Sequence, residues 1–294
     1  KWALYRPDKV AFRSYDDGMT LTFGELNRLG NRVAQDWREN RGFAVGDRIA
    51  VLAENCLELV VLFVAAQKSG CTLVPLNYRL SAREIDYLLE NSAPRLLIVE
   101  AQYVEKVQGN TAKGLAQLSL AEFRELVDPE TDTPADQFLS DFVAAEDDPV
   151  LILYTSGSTG FPKGVLYTHK MLFWNSVNTA FSLVLNTKSR TVSCMPPFHT
   201  GGWNVLLTPF FHHGGFTCLM KKFEAEAVLR LLAEERATIF MGVPTMLKRI
   251  ADVPAFAESE LPDLLYVLSG GEPCPLPLIE TWLAKEIYIR QGYG

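Results

Sequence analysis

Along the chain, short apolar runs alternate with segments whose apolar residues recur every three or four positions. Ile49–Leu52, Thr72–Leu76 and Leu96–Val99 are short, mostly apolar runs, the pattern of strands covered on both faces. Before them, Leu26, Leu29, Val33 and Trp37 fall at helical spacing behind Thr22-Phe23-Gly24-Glu25, a capping-box sequence whose Thr and Glu side chains satisfy the first free N–H groups. Gly42 supplies a stop. Asn55 with Glu58 opens a second helix ending near Gly70, and Ser81 with Glu84 opens a third. Beyond residue 150 the spacing predicts strands at Val150–Tyr154, Thr191–Met195, Phe216–Met220, Thr238–Met241, Leu264–Leu268 and Ile287–Arg290, with helices such as Ala225–Glu235 and Thr245–Ala251 between them. Helices between short apolar strands imply an α/β fold of βαβ units with mainly parallel sheets flanked by helices.

Residues 128–149 break this rhythm: Pro129, Pro134 and the closing Asp147-Asp148-Pro149 lie in a polar, acidic stretch that reads as a surface connection. The expected organisation is a first α/β subdomain over 1–127, a connecting segment over 128–149 and a second α/β subdomain over 150–294.

Composition narrows the partners. The 294 residues are 48% hydrophobic, enough for a sizeable core without disulfides or metals. A net charge of -7, with no run of Lys or Arg, argues against nucleic acid. Five cysteines (Cys56, Cys71, Cys194, Cys218, Cys274) at no C-x-x-C spacing read as reduced thiols of a cytoplasmic protein and give no zinc pattern. No apolar run is long enough to span a bilayer. The chain starts at Lys1 rather than Met, so further residues are expected upstream.

The strongest chemical signal follows the strand Val150–Tyr154. In Thr155-Ser156-Gly157-Ser158-Thr159-Gly160-Phe161-Pro162-Lys163-Gly164, glycines free the backbone to turn N–H groups toward an anion. Hydroxyls can donate to phosphate oxygens, and Lys163 adds a mobile positive charge. The loop is not a Walker A motif, because position 162 is Pro and Gly164 follows the lysine; a Ser/Gly-rich hairpin turn is the plain structural alternative. Further on, Gly270-Gly271-Glu272-Pro273 and Gly292-Tyr293-Gly294 each follow a predicted strand. They therefore sit at strand carboxyl ends, where open α/β sheets bind ligands.

These motifs, with Lys68–Asn77 and Pro197-Phe198-His199, stand in an order that resembles the adenylate-forming superfamily of acyl- and aryl-CoA synthetases, amino-acid adenylation domains and luciferases. The resemblance spans the chain and implies the large N-terminal domain of an acyl-CoA synthetase. It implies that Thr155, Ser156, Gly157, Ser158, Thr159, Gly160 and Lys163 hold the ATP phosphates, with Thr155 also touching Mg2+. Gly270, Gly271, Glu272, Pro273, Gly292, Tyr293 and Gly294 would surround adenine, Tyr293 by stacking. His199 and Lys163 would serve the chemistry, and His199, Gly202 and Trp203 the acyl group, with Trp203 as gate or as core packing. If a helix begins early enough, His199 and Trp203 would lie one turn apart on one face.

The implied reaction converts a carboxylic acid and ATP into an acyl-adenylate, then an acyl-CoA with coenzyme A. A medium- or long-chain fatty acid is expected, because Phe198, Val205 and Leu206 offer a substrate amine no charged partner. An aryl acid, an amino acid and a non-catalytic ATP-binding fragment remain alternatives. The family pattern runs on past Gly294 into a Thr-Glu pair, a ribose-binding Asp and a small C-terminal domain with a catalytic lysine, so this chain by itself is expected to be inactive. Other residues take ordinary roles: His169 starts a helix, His212 and His213 lie at a helix end, and Phe210-Phe211 belong to the core.

Overall fold

A computed structural model describes residues 1–127, 142–155 and 161–293. The strands are β1 (Val10–Ser14), β2 (Thr20–Thr22), β3 (Arg48–Leu52), β4 (Thr72–Pro75), β5 (Leu96–Val99), β6 (Ala116–Ser119), β7 (Pro149–Thr155), β8 (Lys163–Thr168), β9 (Arg190–Ser193), β10 (Phe216–Leu219), β11 (Ile239–Gly242), β12 (Tyr266–Ser269) and β13 (Tyr288–Gln291). They pack in two compact units. The first comprises Lys1–Val10, Leu21–Asn175 and Pro196–Thr200; the second comprises Ala11–Thr20, Ser176–Met195 and Gly201–Gly294.

The first unit is built on a six-stranded sheet in the order β6-β5-β3-β4-β7-β8. Its pairings are parallel except the last, where β8 runs antiparallel to β7. The continuous apolar runs become its centre: every residue of β4 and β5 is buried. Ala50, Leu52, Val74, Leu97 and Ile152 close against Ile85, Leu88 and Leu89 of the helix Ala82–Ser92. The capping boxes at Thr22/Glu25 and Ser81/Glu84 form as expected, and a third forms at Ser119/Glu122. The helix Leu57–Ser69 starts instead from Cys56, without a side-chain cap, and Asn55 is buried before it.

Helices Phe23–Gln35 and Leu57–Ser69 meet at close range, since a methyl group on Gly30 would stand 2.5 Å from Val64 Cγ1. Lys68 is held in the same contact, donating to Asn27 Oδ1 at 2.9 Å and Asn31 Oδ1 at 2.6 Å; burial lowers its pKa.

The expected boundary at 128–149 does not coincide with the division between the units. β7, the first strand after the polar stretch, returns to the first sheet beside β4, with Leu151 opposite Leu73. The physical reason is its burial: Val150–Leu153 has no face to give to water, so it completes a sheet already apolar on both sides. Most of the polar stretch, 128–141, lies outside the described residues.

Most of a four-stranded sheet in the order β2-β1-β10-β9, and all of a three-stranded sheet in the order β11-β12-β13, belong to the second unit. The three-stranded sheet is parallel throughout. Its core gathers Ala180, Leu183, Leu206, Phe210, Ile239, Tyr266 and Leu268. Buried Tyr266 donates its hydroxyl to the Leu183 carbonyl at 2.6 Å. The carboxylate of Glu235 is buried but paired with both Arg13 and Arg190, as a buried charge requires. Among the described residues no helix is long and apolar enough to cross a membrane.

Candidate active site

The predicted phosphate loop joins two antiparallel strands. Thr155, the last residue of β7, is the register partner of Lys163, the first of β8. The buried strand β7 thus brings a hydroxyl, and the exposed strand β8 an ammonium, to the two ends of the segment that joins them. Both residues are exposed, and Lys163 forms no side-chain ion pair among the described residues. Ser156, Gly157, Ser158, Thr159 and Gly160 lie outside the described residues.

What anchors the hairpin was not apparent in the motif. Tyr154 donates to Asn91 Oδ1 at 2.7 Å and Leu88 O at 3.3 Å, with burial raising its pKa. From the same helix, Tyr87 packs its ring 5.3 Å from Phe161 and reaches the Pro162 carbonyl at 3.5 Å.

The Pro197-Phe198-His199 motif forms a tight turn, closed by the His199 amide donating to the Pro196 carbonyl at 3.2 Å. Phe198 is buried and meets Tyr78 edge-on at 5.1 Å. Tyr78 in turn stacks on Tyr103 at 5.2 Å, and Tyr103 donates to Glu54 Oε1 at 2.8 Å. His199 is exposed as a residue, yet its ring lies 4.6 Å from that of Phe198. Desolvation of this imidazole, then the positive charge of Arg79, lowers its pKa, which favours the neutral form, with one N–H to donate.

The helix expected to follow begins as a π-helix, Gly201–Leu207, and passes into the α-helix Thr208–His212. Thr208 donates its hydroxyl to the Trp203 carbonyl at 2.8 Å, and Pro209 has no N–H with which to continue regular α-helical bonding. His199 therefore precedes the helix instead of forming its first turn, so the one-turn spacing to Trp203 does not arise. Gly202 is buried, and Trp203 is 1% exposed.

The two glycine motifs lie side by side in the second unit. β12 and β13 are parallel neighbours, with Ser269 opposite Gln291, and Gly270 and Gly292 are the next residues on each. The Gly292 amide donates to the Ser269 carbonyl at 2.8 Å. A methyl group on Gly270 would stand 3.7 Å from the Gly292 carbonyl. Gly271 has φ +87°, a left-handed conformation that glycine adopts without strain. It turns Glu272 and Pro273 outward, and Gln291 Oε1 accepts the Cys274 amide at 3.0 Å. Tyr293 is fully exposed and so is not a core tyrosine. Gly294 lies outside the described residues.

The first unit thus presents a hairpin bearing an exposed hydroxyl and an exposed lysine, and the second presents two glycine loops beside an exposed aromatic ring. The chain is 34% identical over 277 residues to a feruloyl-CoA synthase of an Amycolatopsis species, covering 94% of this chain and 54% of that protein. It is 33% identical over 301 residues to the long-chain-fatty-acid–CoA ligase FadD13 of Mycobacterium tuberculosis, covering 99% of this chain and 58% of that protein. The chain therefore spans little more than half the length of these curated relatives. Among solved structures, the inhibitor-bound N-terminal domain of FACL13 from Mycobacterium tuberculosis superposes with a TM-score of 0.88 at 31% identity, over 99% of this chain and 73% of that one. The sequence model of the AMP-binding enzymes matches residues 1–294, and the chain belongs to that adenylate-forming family.

Proposed function

We propose that the chain is the nucleotide- and acyl-binding part of an acid–thiol ligase that activates a carboxylic acid with ATP and transfers the acyl group to coenzyme A. The observation that carries this reading is the hairpin placing Thr155 opposite Lys163, in a family of AMP-binding enzymes. In the first half-reaction a carboxylate oxygen attacks the α-phosphorus and pyrophosphate leaves. In the second, a thiol attacks the acyl carbon and AMP leaves. Little covalent chemistry falls to the protein in the first step; positioning and charge stabilisation dominate.

Lys163 neutralises charge on the outer phosphates, and the amides and hydroxyls of Thr155–Gly160 hold their oxygens. Gly270, Gly271, Glu272, Pro273 and Gly292 border the base, and exposed Tyr293 stacks on it. His199, kept neutral, donates its N–H to the substrate carboxylate. Thr155 offers one exposed hydroxyl oxygen, which fits Mg2+ only together with phosphate oxygens and water; the ion, when bound, offsets phosphate charge. The unpaired cysteines suit a reducing, cytoplasmic setting.

For the acid we favour a medium- or long-chain fatty acid, with Gly202 and Trp203 on the apolar side of the acyl site. An aromatic acid is the second reading, favoured by the likeness to a feruloyl-CoA synthase. The test is acid-dependent ATP–pyrophosphate exchange by the longest natural chain carrying this sequence, with acetate, octanoate, palmitate, ferulate and an amino acid. Exchange driven best by octanoate or palmitate supports the fatty-acid reading. Ferulate as the best substrate replaces it, and no exchange with any acid removes the ligase reading.

A further inference from the structure

The turn carrying His199 is held from two directions. On one side Phe198 is buried against Tyr78. On the other, the Tyr167 hydroxyl donates to Thr200 Oγ1 at 3.2 Å. Tyr167 lies on β8, the strand that begins at Lys163. Side chains on a strand alternate, so residues 163, 165 and 167 share one face of it. Among the described residues β8 is the edge of its sheet and pairs only with β7, and its residues are exposed or half-buried along its length. An edge strand held by one neighbour yields more readily than a central one. The buried β7 fixes one arm of the phosphate hairpin, and Tyr167 links the other arm to the acyl turn.

We propose that Tyr167 is a positioning residue: its hydroxyl ties the strand carrying Lys163 to the turn carrying His199, so that ATP on the hairpin and carboxylic acid on the turn strengthen each other's binding. The inference rests on the nucleotide and acyl roles given to these loops above. It adds a residue outside the sequence motifs and a coupling between the two substrates.

The test uses the longest natural chain carrying this sequence and the best acid of the panel. Its affinity for that acid is measured without nucleotide and with a saturating non-hydrolysable ATP analogue, for wild type, Tyr167→Phe, Thr200→Val, the double variant and Thr200→Ser. Wild type should bind the acid more tightly with the analogue present. Tyr167→Phe should reduce that enhancement by about threefold to tenfold, the range for losing one neutral hydrogen bond, with an unchanged melting temperature. Thr200→Val should match it, the double variant should add nothing further, and Thr200→Ser should keep the wild-type value. Tyr167→Phe with wild-type enhancement, or effects of the two single variants that simply add, would overturn the coupling while leaving the ligase reading intact. Failure of wild type to bind acid or analogue would instead sink the reading on which it rests, and the coupling with it.

Discussion

The hairpin β7–β8 and the parallel strands β12 and β13 reach a similar end by different means. In the hairpin, buried β7 anchors and exposed β8 carries the charged residue, Lys163. In the parallel sheet, buried β12 anchors, exposed β13 precedes the aromatic residue, Tyr293, and the backbone between is glycine. Each pairs a rigid central strand with an accessible edge strand. An antiparallel turn can surround an anion with N–H groups and bring a cation from the returning strand. Parallel strand ends cannot turn back on themselves, and they offer instead two adjacent loops with a flat surface between them. On the proposed reading, the first takes the polyphosphate and the second the base.

Breaking the anchors should have the largest effect. Leu151 in β7 is fully buried, and Leu151→Ala should cost about 2–5 kcal/mol in urea unfolding. Leu166 in β8 is 53% exposed, and Leu166→Ala should change stability by under about 0.5 kcal/mol. Comparable losses at the two sites would show that β8 is as integral as β7.

A smaller effect separates conformation from ligand approach at the second site. Gly271→Ala should destabilise by about 1 kcal/mol through its left-handed backbone, since the nearest atom to an added methyl, Val243 Cγ1, is 3.7 Å away and does not clash. Gly270 needs no such conformation, and an added methyl meets only ordinary contacts. Gly270→Ala should therefore leave the melting temperature unchanged and weaken AMP. An unaltered AMP affinity would place the base elsewhere.

The smallest effect is electrostatic. His199 should titrate below its ordinary value in an NMR pH series, and Arg79→Ala should move its midpoint upward, because Arg79 is the second cause of the depression after desolvation. The unfolded chain takes up this proton more readily than the folded one. The His199 contribution to stability is therefore present above the ordinary histidine value and is lost as pH falls from there through the depressed one. A midpoint unmoved by Arg79→Ala would remove that charge from the turn's electrostatics.

The central strands were legible in the sequence for a physical reason: a strand covered on both faces shows a continuous apolar run, as in β3, β5 and β12. The largely exposed edge strands β6 and β8 lack that run and passed unrecognised, as did the short edge strand β2 and the interior strand β1, whose run Arg13 interrupts. The capping boxes at Thr22 and Ser81 were readable because they are local. The π-helix was not, because its pattern of apolar residues matches an α-helix and only Thr208 and Pro209 mark the departure. Among site residues, glycines and the lysine announced themselves by spacing. Tyr78, Tyr87, Tyr154 and Tyr167 did not, because a tyrosine that braces a loop has no sequence signature apart from the partner it meets in the fold.

The proposed assignment of the phosphates to the β7–β8 hairpin and of the base to the β12–β13 loops is tested by parallel measurements of ATP and AMP affinity for wild type, Lys163→Ala and Tyr293→Ala. Lys163→Ala should weaken ATP by at least about tenfold, as expected for a lost charge-assisted contact, and leave AMP nearly unchanged. Tyr293→Ala should weaken both nucleotides equally, by roughly the 1–3 kcal/mol of a base stacked on an aromatic ring. Equal weakening of ATP and AMP by Lys163→Ala, or a Tyr293→Ala variant that binds both as wild type does, would contradict it.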